Sequence, residues 1–270
     1  MKTLKQKNLV DLHIHTDFSH DGKEPMENYV KKALLLGHTT VGFSDHFDYD
    51  CYLLGKTDMI FNIETYMDEI TRLRDKYAGR IEILAGAEFG YSREAVSFYR
   101  EIRRRYPFDY IINSTHIVDG EDCCFNKYCL GKSKTEAYRK YLEVLSESID
   151  ADYPFEIVGH IGYPSRYAPF DDKIMTYSEF APEFDVILKK IIEKGKYLEL
   201  NTSTKSSLPF LPGEDVTDAY IALGGDKFTF GSDAHERKRY YDGAENVSEY
   251  LCSHDKKASF FRSRHAVTVD

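Results

Sequence analysis

The sequence predicts an α/β fold in which parallel strands close into a barrel of seven (β/α) units. Three observations carry that reading. Short apolar runs alternate with longer amphipathic ones, the pattern of a parallel sheet wrapped by helices. The helical patterns end in recognisable stop signals just before the next strand. The titratable residues collect where the predicted strands end.

Taken in order, the strands are "LVDLHIH" (9–15), "TVGFSDH" (40–46), "IEILAGAE" (81–88), "FDYIINSTH" (108–116), "FEIVGH" (155–160), "YLELNTS" (197–203) and "KFTFGSDAH" (227–235). Between them lie helical patterns such as 133–149. There Ser133 and Glu136 have capping-box spacing, and Tyr138, Leu142, Leu145 and Ile149 form one apolar face. Gly37, Gly79 and Gly195 each close a helical pattern shortly before a strand. "RRRYP" at 103–107 ends a helix with cations near its C-terminus, which the helix dipole favours. The tail "RHAVTVD" reads as an edge strand or as disordered. With no linker or low-complexity stretch, residues 1–270 read as one domain.

A doubly wound open sheet would give a similar string of elements. The ends of the strands separate the two readings. His46, Glu88, His116, His160, Asp233 and His235 all fall at a C-terminal strand end, and His13 and His15 end the first strand. In a closed parallel barrel those ends meet at one mouth, whereas an open sheet spreads them along a line.

Composition narrows the function. The net charge is −9, and no basic stripe with interleaved aromatics occurs, which argues against extended contact with nucleic acid and for a small substrate. The N-terminus has no apolar run of signal-peptide length, and no stretch reaches transmembrane length, so a cytoplasmic protein is expected. Five cysteines, an odd number, suggest reduced thiols. Cys123, Cys124 and Cys129 cluster in "CCFNKYC", which lacks CxxC spacing and reads as a loop.

Burying so many imidazoles and carboxylates without partners would be very costly, and divalent metal ions would satisfy them. Alternate residues of a strand face the same way, so His13/His15 and Asp233/His235 each present two donors to one side. Imidazole plus carboxylate suits zinc, iron(II) or manganese, and the lack of cysteine at these positions argues against a closed structural zinc site. Asp45 would point away from His46 along the strand and orient a neighbouring ligand from behind. "STH" and "NTST" lack the turn context of a serine-hydrolase elbow, so no protein nucleophile stands out.

The ordered motifs "DLHIHTDFSHDG", "GFSDH", "GAE", "STH", "VGH" and "GSDAH", spanning residues 11–235, resemble those of the polymerase-and-histidinol-phosphatase (PHP) superfamily of metal-dependent phosphoesterases. Chain length, "FNIETYMDEITRLRDKY" before "IEILAGAEFGY", and "YLELNTST" before "GSDAH" bring the resemblance nearest to its histidinol-phosphatase branch. The resemblance implies a distorted TIM-like (β/α)7 barrel with three divalent metal ions at the C-terminal ends of the strands. It implies one ion on His13, His15, Glu88 and Asp233, a second on Glu88, His116 and His160, and a third on Asp21, His46 and His235. Asp21 is chosen by its spacing of six residues from His15. Many histidinol phosphatases carry histidine there, which leaves His20 as an alternative.

Three divalent ions carry twice the charge that Asp21, Glu88 and Asp233 return, so a phosphate monoester dianion suits the pocket. Adjacent ions ~3.5–4 Å apart can activate a bridging hydroxide and align it with the leaving group. Glu88, Asp233 and His235 are accordingly the candidate catalytic residues. Arg166, six residues after His160, is a planar fork that suits phosphate oxygens, and the resemblance implies that contact. Relatives carry a second phosphate-binding arginine near "NTST"; Lys205 is the nearest cation here, and whether it substitutes is open. The implied reaction is hydrolysis of L-histidinol phosphate in histidine biosynthesis. A phosphatase for another small monoester, such as a nucleotide or sugar phosphate, and a non-catalytic metal-binding module are the alternatives. The oligomeric state is not legible.

Overall fold

The computed structural model describes residues 9–49, 55 and 59–269. Six parallel strands lie side by side in the order β1 (Thr40–Phe43), β3 (Glu82–Gly90), β4 (Tyr110–Ser114), β7 (Ile157–Val158), β8 (Tyr197–Asn201) and β9 (Phe228–Gly231). The short β2 (His46–Phe47) pairs with the far end of β3, setting His46 opposite Glu88. A small antiparallel ribbon, β5 (Ile117–Val118) and β6 (Glu121–Asp122), follows β4.

Residues 11–15 close the ring. On one side Leu12 N donates to Phe230 O (3.1 Å) and His15 N to Ala234 O (2.9 Å). On the other, Gly42 N and Ser44 N donate to Asp11 O and Ile14 O, each at 3.0 Å. The predicted strand 9–15 is therefore present as two isolated bridges, Asp11 with Phe230 and Ile14 with Ala234, and not as a continuous ladder. Side chains have taken its backbone donors. His13 N donates to Asp11 Oδ1, Ile14 N to Ser44 Oγ and Thr16 N to Asp45 Oδ1. The predicted strand 40–46 is divided as well, breaking at Ser44 and Asp45 before resuming as β2.

Seven helices of nine or more residues wrap the barrel among the described residues: Met26–Leu35, Ile63–Lys76, Val96–Arg105, Lys134–Ser148, Ala181–Glu193, Glu214–Ala222 and Ala244–Ser253. Ile63, Tyr66, Ile70 and Leu73, at helical spacing, bury one face of the second, and the Asn62 side chain accepts from Thr65 N (2.9 Å) to start it. The Ser133/Glu136 capping box is present, and Tyr138, Leu142, Leu145 and Ile149 are buried. Burying a side chain of that size contributes roughly 1.5–3 kcal/mol. Gly37, Gly79 and Gly195 have φ of 78°, 72° and 64°, the left-handed helix stop that favours glycine. The cation-rich end of Val96–Arg105 differs from a solvated one. Arg103 is buried, donating to Glu156 Oε1 (2.7 Å) and Phe108 O (2.6 Å).

The chain's tail is ordered. Hairpin strands β10 (Ser259–Arg262) and β11 (His265–Thr268) bring Phe260, Phe261 and Val269 against Val10, Leu12, Leu84, Tyr110, Ile112 and Ile157 at the N-terminal ends of the barrel strands. Tyr110 fills space left by two glycines: a Cβ on Gly42 would lie 2.5 Å from its hydroxyl and one on Gly86 2.4 Å from its ring. Its hydroxyl donates to Leu12 O (2.7 Å).

Cys123, Cys129 and Cys252 are free thiols; Cys51 lies outside the described residues, as do residues 1–8 of the N-terminal stretch read for a signal. "CCFNKYC" contains one helical turn, Asn126–Cys129. No helix among the described residues is long and apolar enough to cross a membrane.

Candidate metal centre

Closure of the ring gathers the predicted ligands around Glu88, which is fully buried near the end of β3. His160 Nε2 lies 2.7 Å from Glu88 Oε1, and His13 Nε2 and His116 Nε2 each lie 3.3 Å from it. The second oxygen, Oε2, has His46 Nδ1 at 2.9 Å and His15 Nε2 at 3.6 Å. Asp233 Oδ1 lies 3.2 Å from His15 Nε2 and 3.8 Å from His13 Nε2. His15 stacks against both His46 and His235, with ring centroids 4.2 and 4.0 Å apart. At the exposed rim, Asp21 Oδ2 lies 3.1 Å from His235 Nε2 and Oδ1 3.9 Å from His46 Nε2. His20 lies at the same rim, with Nδ1 3.8 Å from Asp21 and its ring centroid 5.6 Å from that of His46.

The local backbone explains how the ligands converge. The expectation that Asp233 and His235 share a strand face is corrected: β9 ends at Gly231, and Asp233 has φ 53°. Aspartate tolerates the left-handed region better than most residues, and the kink turns both side chains into the mouth. Asp45 acts from behind, as expected, through an intermediary. Its carboxylate accepts from Thr16 and Ser19, and Ser19 Oγ lies 3.2 Å from His15 Nδ1.

Charge at the site is divided between carboxylates and imidazoles. Burial works against the charged carboxylates of Glu88 and Asp233, but the surrounding imidazoles at Glu88, and Arg166 followed by the imidazoles at Asp233, hold both well below the usual range. Burial, with the nearby His235 and His46, pushes His15 well down, and burial lowers His160, so both rings stay neutral with lone pairs available. His13 Nε2, His15 Nε2, His46 Nδ1 and Glu88 Oε2 are buried without a hydrogen-bond partner. Unpaired buried polar atoms are rare, and here they are ligand-type atoms that face one another. Groups of ligand atoms within 4.8 Å of one another are formed by His13, His15 and Glu88, by His13, His160 and Asp233, by His46, Glu88 and His116, and by His15, His46 and His235. The donor set fits divalent ions.

Arg166 is buried. It forks between Asp233 Oδ2 (2.8 Å) and Asn201 Oδ1 (2.7 Å) on a 3₁₀ turn, Tyr163–Arg166. Lys205 is not brought into the cluster: it is exposed, with Nζ 4.2 Å from the centroid of the Tyr167 ring.

Two buried carboxylates here escaped the sequence reading. Asp48 lies 3.2 Å from His116 Nδ1 and 3.3 Å from His46 Nδ1. Glu199 lies 2.5 Å from His13 Nδ1 and accepts from His160 N (2.7 Å). The available signal for Glu199 was an acid between the apolar residues of "YLELN", where a solvated face would leave it on the surface.

The PHP domain model matches residues 11–203. The histidinol-phosphatase of Lactococcus lactis is 31% identical over 234 residues, covering 85% of each chain, and a probable histidinol-phosphatase of Clostridium acetobutylicum is 26% identical over 94% of this chain and 97% of its own. The crystal structure of the histidinol phosphate phosphatase from Lactococcus lactis, complexed with zinc, L-histidinol and phosphate, superposes with a TM-score of 0.85 at 26% identity, covering 96% of this chain and 99% of that one. With its motifs in order, its ring closed and its strand ends converging on Glu88, this chain belongs to the PHP domain family and groups there with the histidinol-phosphatases.

Proposed function

We propose that this protein is a metal-dependent phosphomonoesterase that hydrolyses L-histidinol phosphate to L-histidinol and phosphate. The observation that carries the reading is the set of unpaired, buried ligand atoms converging around Glu88. The likeness to a protein solved with zinc, L-histidinol and phosphate supplies the substrate.

Three divalent ions, zinc, iron or manganese, are assigned as the cofactors: one on His13, His15, Glu88 and Asp233, one on Glu88, His116 and His160, and one on Asp21, His46 and His235. Bound there, they supply an activated water and neutralise charge on the phosphoryl group. The chain's own residues do the rest. Glu88 sits between the ligand groups, with Oε1 facing His160, His13 and His116 and Oε2 facing His46 and His15. Asp233, held by Arg166, keeps its charge in a buried setting. Arg166, bonded to Asp233, is close enough to the cluster to turn one arm of its fork to a phosphate oxygen, and the full burial of His13, His15 and Glu88 keeps bulk water from the ligands' inner side. Lys205, exposed against the Tyr167 ring, is the candidate for a second phosphate-binding cation.

The test is steady-state kcat/KM for the zinc-, iron- and manganese-loaded protein across a panel of phosphate monoesters, with metal content measured in parallel. L-histidinol phosphate should lead nucleotide and sugar phosphates. A different leading substrate would replace histidinol phosphate in the reading, and an active, folded protein with less than one equivalent of metal would overturn it.

A further inference from the structure

We propose that Glu199 is the positioning residue that locks His13 in the tautomer bearing its proton on Nδ1, leaving Nε2 for metal, and that it ties this ring to the backbone of His160. The inference rests on the metal reading above and concerns how the ligands are held.

Glu199 is buried on β8, and each of its oxygens faces donors. Oε1 lies 2.5 Å from His13 Nδ1. Oε2 accepts from His160 N at 2.7 Å and from Asn201 Nδ2 at 3.2 Å. A carboxylate only accepts, so the imidazole nitrogen facing it is the one that carries hydrogen. That leaves the lone pair on Nε2, the atom buried without a partner and pointing at Glu88 and Asp233. Such an orienting carboxylate raises the basicity of a ligating imidazole and fixes its ring. What is particular here is the second oxygen. It holds the main chain of another candidate ligand, so one side chain sets two ligands of different metal groups relative to each other.

The barrel wall makes room for this pair. A Cβ on Gly231 would lie 2.3 Å from Glu199 Oε1 and 2.6 Å from His13 Cβ, so no larger residue fits without pushing the two apart.

A glutamine cannot replace this carboxylate, although it has the same shape. Its oxygen can accept from only one side. If the amide nitrogen faces His160 N–H, two donors oppose each other in a buried place. If it faces His13, Nδ1 must become the acceptor, the ring proton moves to Nε2, and the lone pair for metal is lost. Packing alone predicts the reverse order, with Glu199→Gln nearly normal and Glu199→Ala impaired.

Zinc affinity of the full-length wild type, Glu199→Gln and Glu199→Ala, measured by competition with a chromophoric chelator, separates these accounts. Glu199→Gln should bind zinc roughly 10- to 100-fold more weakly than wild type, and at least as weakly as Glu199→Ala. The ¹⁵N-histidine spectrum of the zinc-loaded wild type, which does not depend on any variant folding, should show His13 protonated at Nδ1. Zinc binding by Glu199→Gln equal to wild type, or an unprotonated His13 Nδ1 in the loaded wild type, overturns the assignment of Glu199 alone. A wild type that binds no zinc, iron or manganese overturns the proposed function with it.

Discussion

The two ends of this barrel bury polar groups in opposite ways. At the base, Tyr110 gives its hydroxyl to Leu12 O, and Asp109 accepts from Ala85 N (2.8 Å), Ser263 N (2.7 Å) and Arg74 (2.7 Å), with apolar side chains filling the space between. At the mouth, imidazole nitrogens and a carboxylate oxygen are buried facing one another without a well-formed hydrogen bond. The same strands run through both ends, so the difference lies in what each end is for. At the base the polar groups of Tyr110 and Asp109 are met by the protein itself, whereas the ligand atoms of the mouth suit an added cation. In parallel barrels the base commonly serves stability and the mouth chemistry.

That contrast can be broken at several points. Glu88→Gln removes the charge shared between the ligand groups, and kcat should fall on the order of a thousandfold, with metal content reduced. Near-normal turnover would refute the ligand assignment. Arg166→Ala should keep its metal and lose ten- to hundredfold in kcat/KM, since a charge-assisted bond contributes roughly 1.5–3 kcal/mol. Asp21→Ala should instead be rescued in part by excess metal. If His20→Ala needs rescue and Asp21→Ala does not, the histidine is the ligand.

The mouth should also give stability a metal-dependent pH profile. Burial lowers the pKa values of His13, His46 and His116, but the carboxylates outweigh it and raise all three well above the ordinary value: Glu199 and Glu88 for His13, Glu88 and Asp48 for His46, and Asp48 and Glu88 for His116. A raised histidine contributes stability that is complete below its unfolded pKa of about 6.5 and is lost as pH rises through the folded value. Asp11 and Asp45, pushed up to about 6 by burial, act in the same direction between their unfolded value and pH 6. Ligation needs the deprotonated rings, so metal stabilises more as pH rises. Calorimetry should therefore show the chelated and metal-saturated melting curves drawing apart from pH 6 upward. Parallel curves would mean that these imidazoles do not bind metal.

The smallest effect belongs to the base. Tyr110→Phe should cost about 1 kcal/mol by denaturant titration and leave the metal-dependent part of the melting temperature unchanged. A change in that part would mean that the two ends are coupled.

Much of this was legible because it is periodic or local. The helix faces, the Ser133/Glu136 box and the glycine stops follow from spacing alone, and the strand ends gather as soon as the sheet closes. What escaped depended on distant partners. Arg103 looked like any cation at a helix end until Glu156 and Phe108 O were placed beside it. Glu199 and Asp48 are acids in the chain and become supports only when the ring brings histidines to them. The broken first strand also escaped, because nothing in "DLHIH" announces that Asp11, Ser44 and Asp45 would take its backbone donors.

Closure of the ring by residues 11–15 has a consequence for the order in which the molecule is assembled. His13 and His15 come from the first segment and Asp233 and His235 from the last, and they meet only when Asp11 and Ile14 bridge to Phe230 and Ala234. Contacts between such distant parts of the chain are slow to form, because a long loop must be ordered before they repay it. A partial barrel lacks that seam, so tight metal capture by His13, His15, Asp233 and His235 is expected only once the ring has closed.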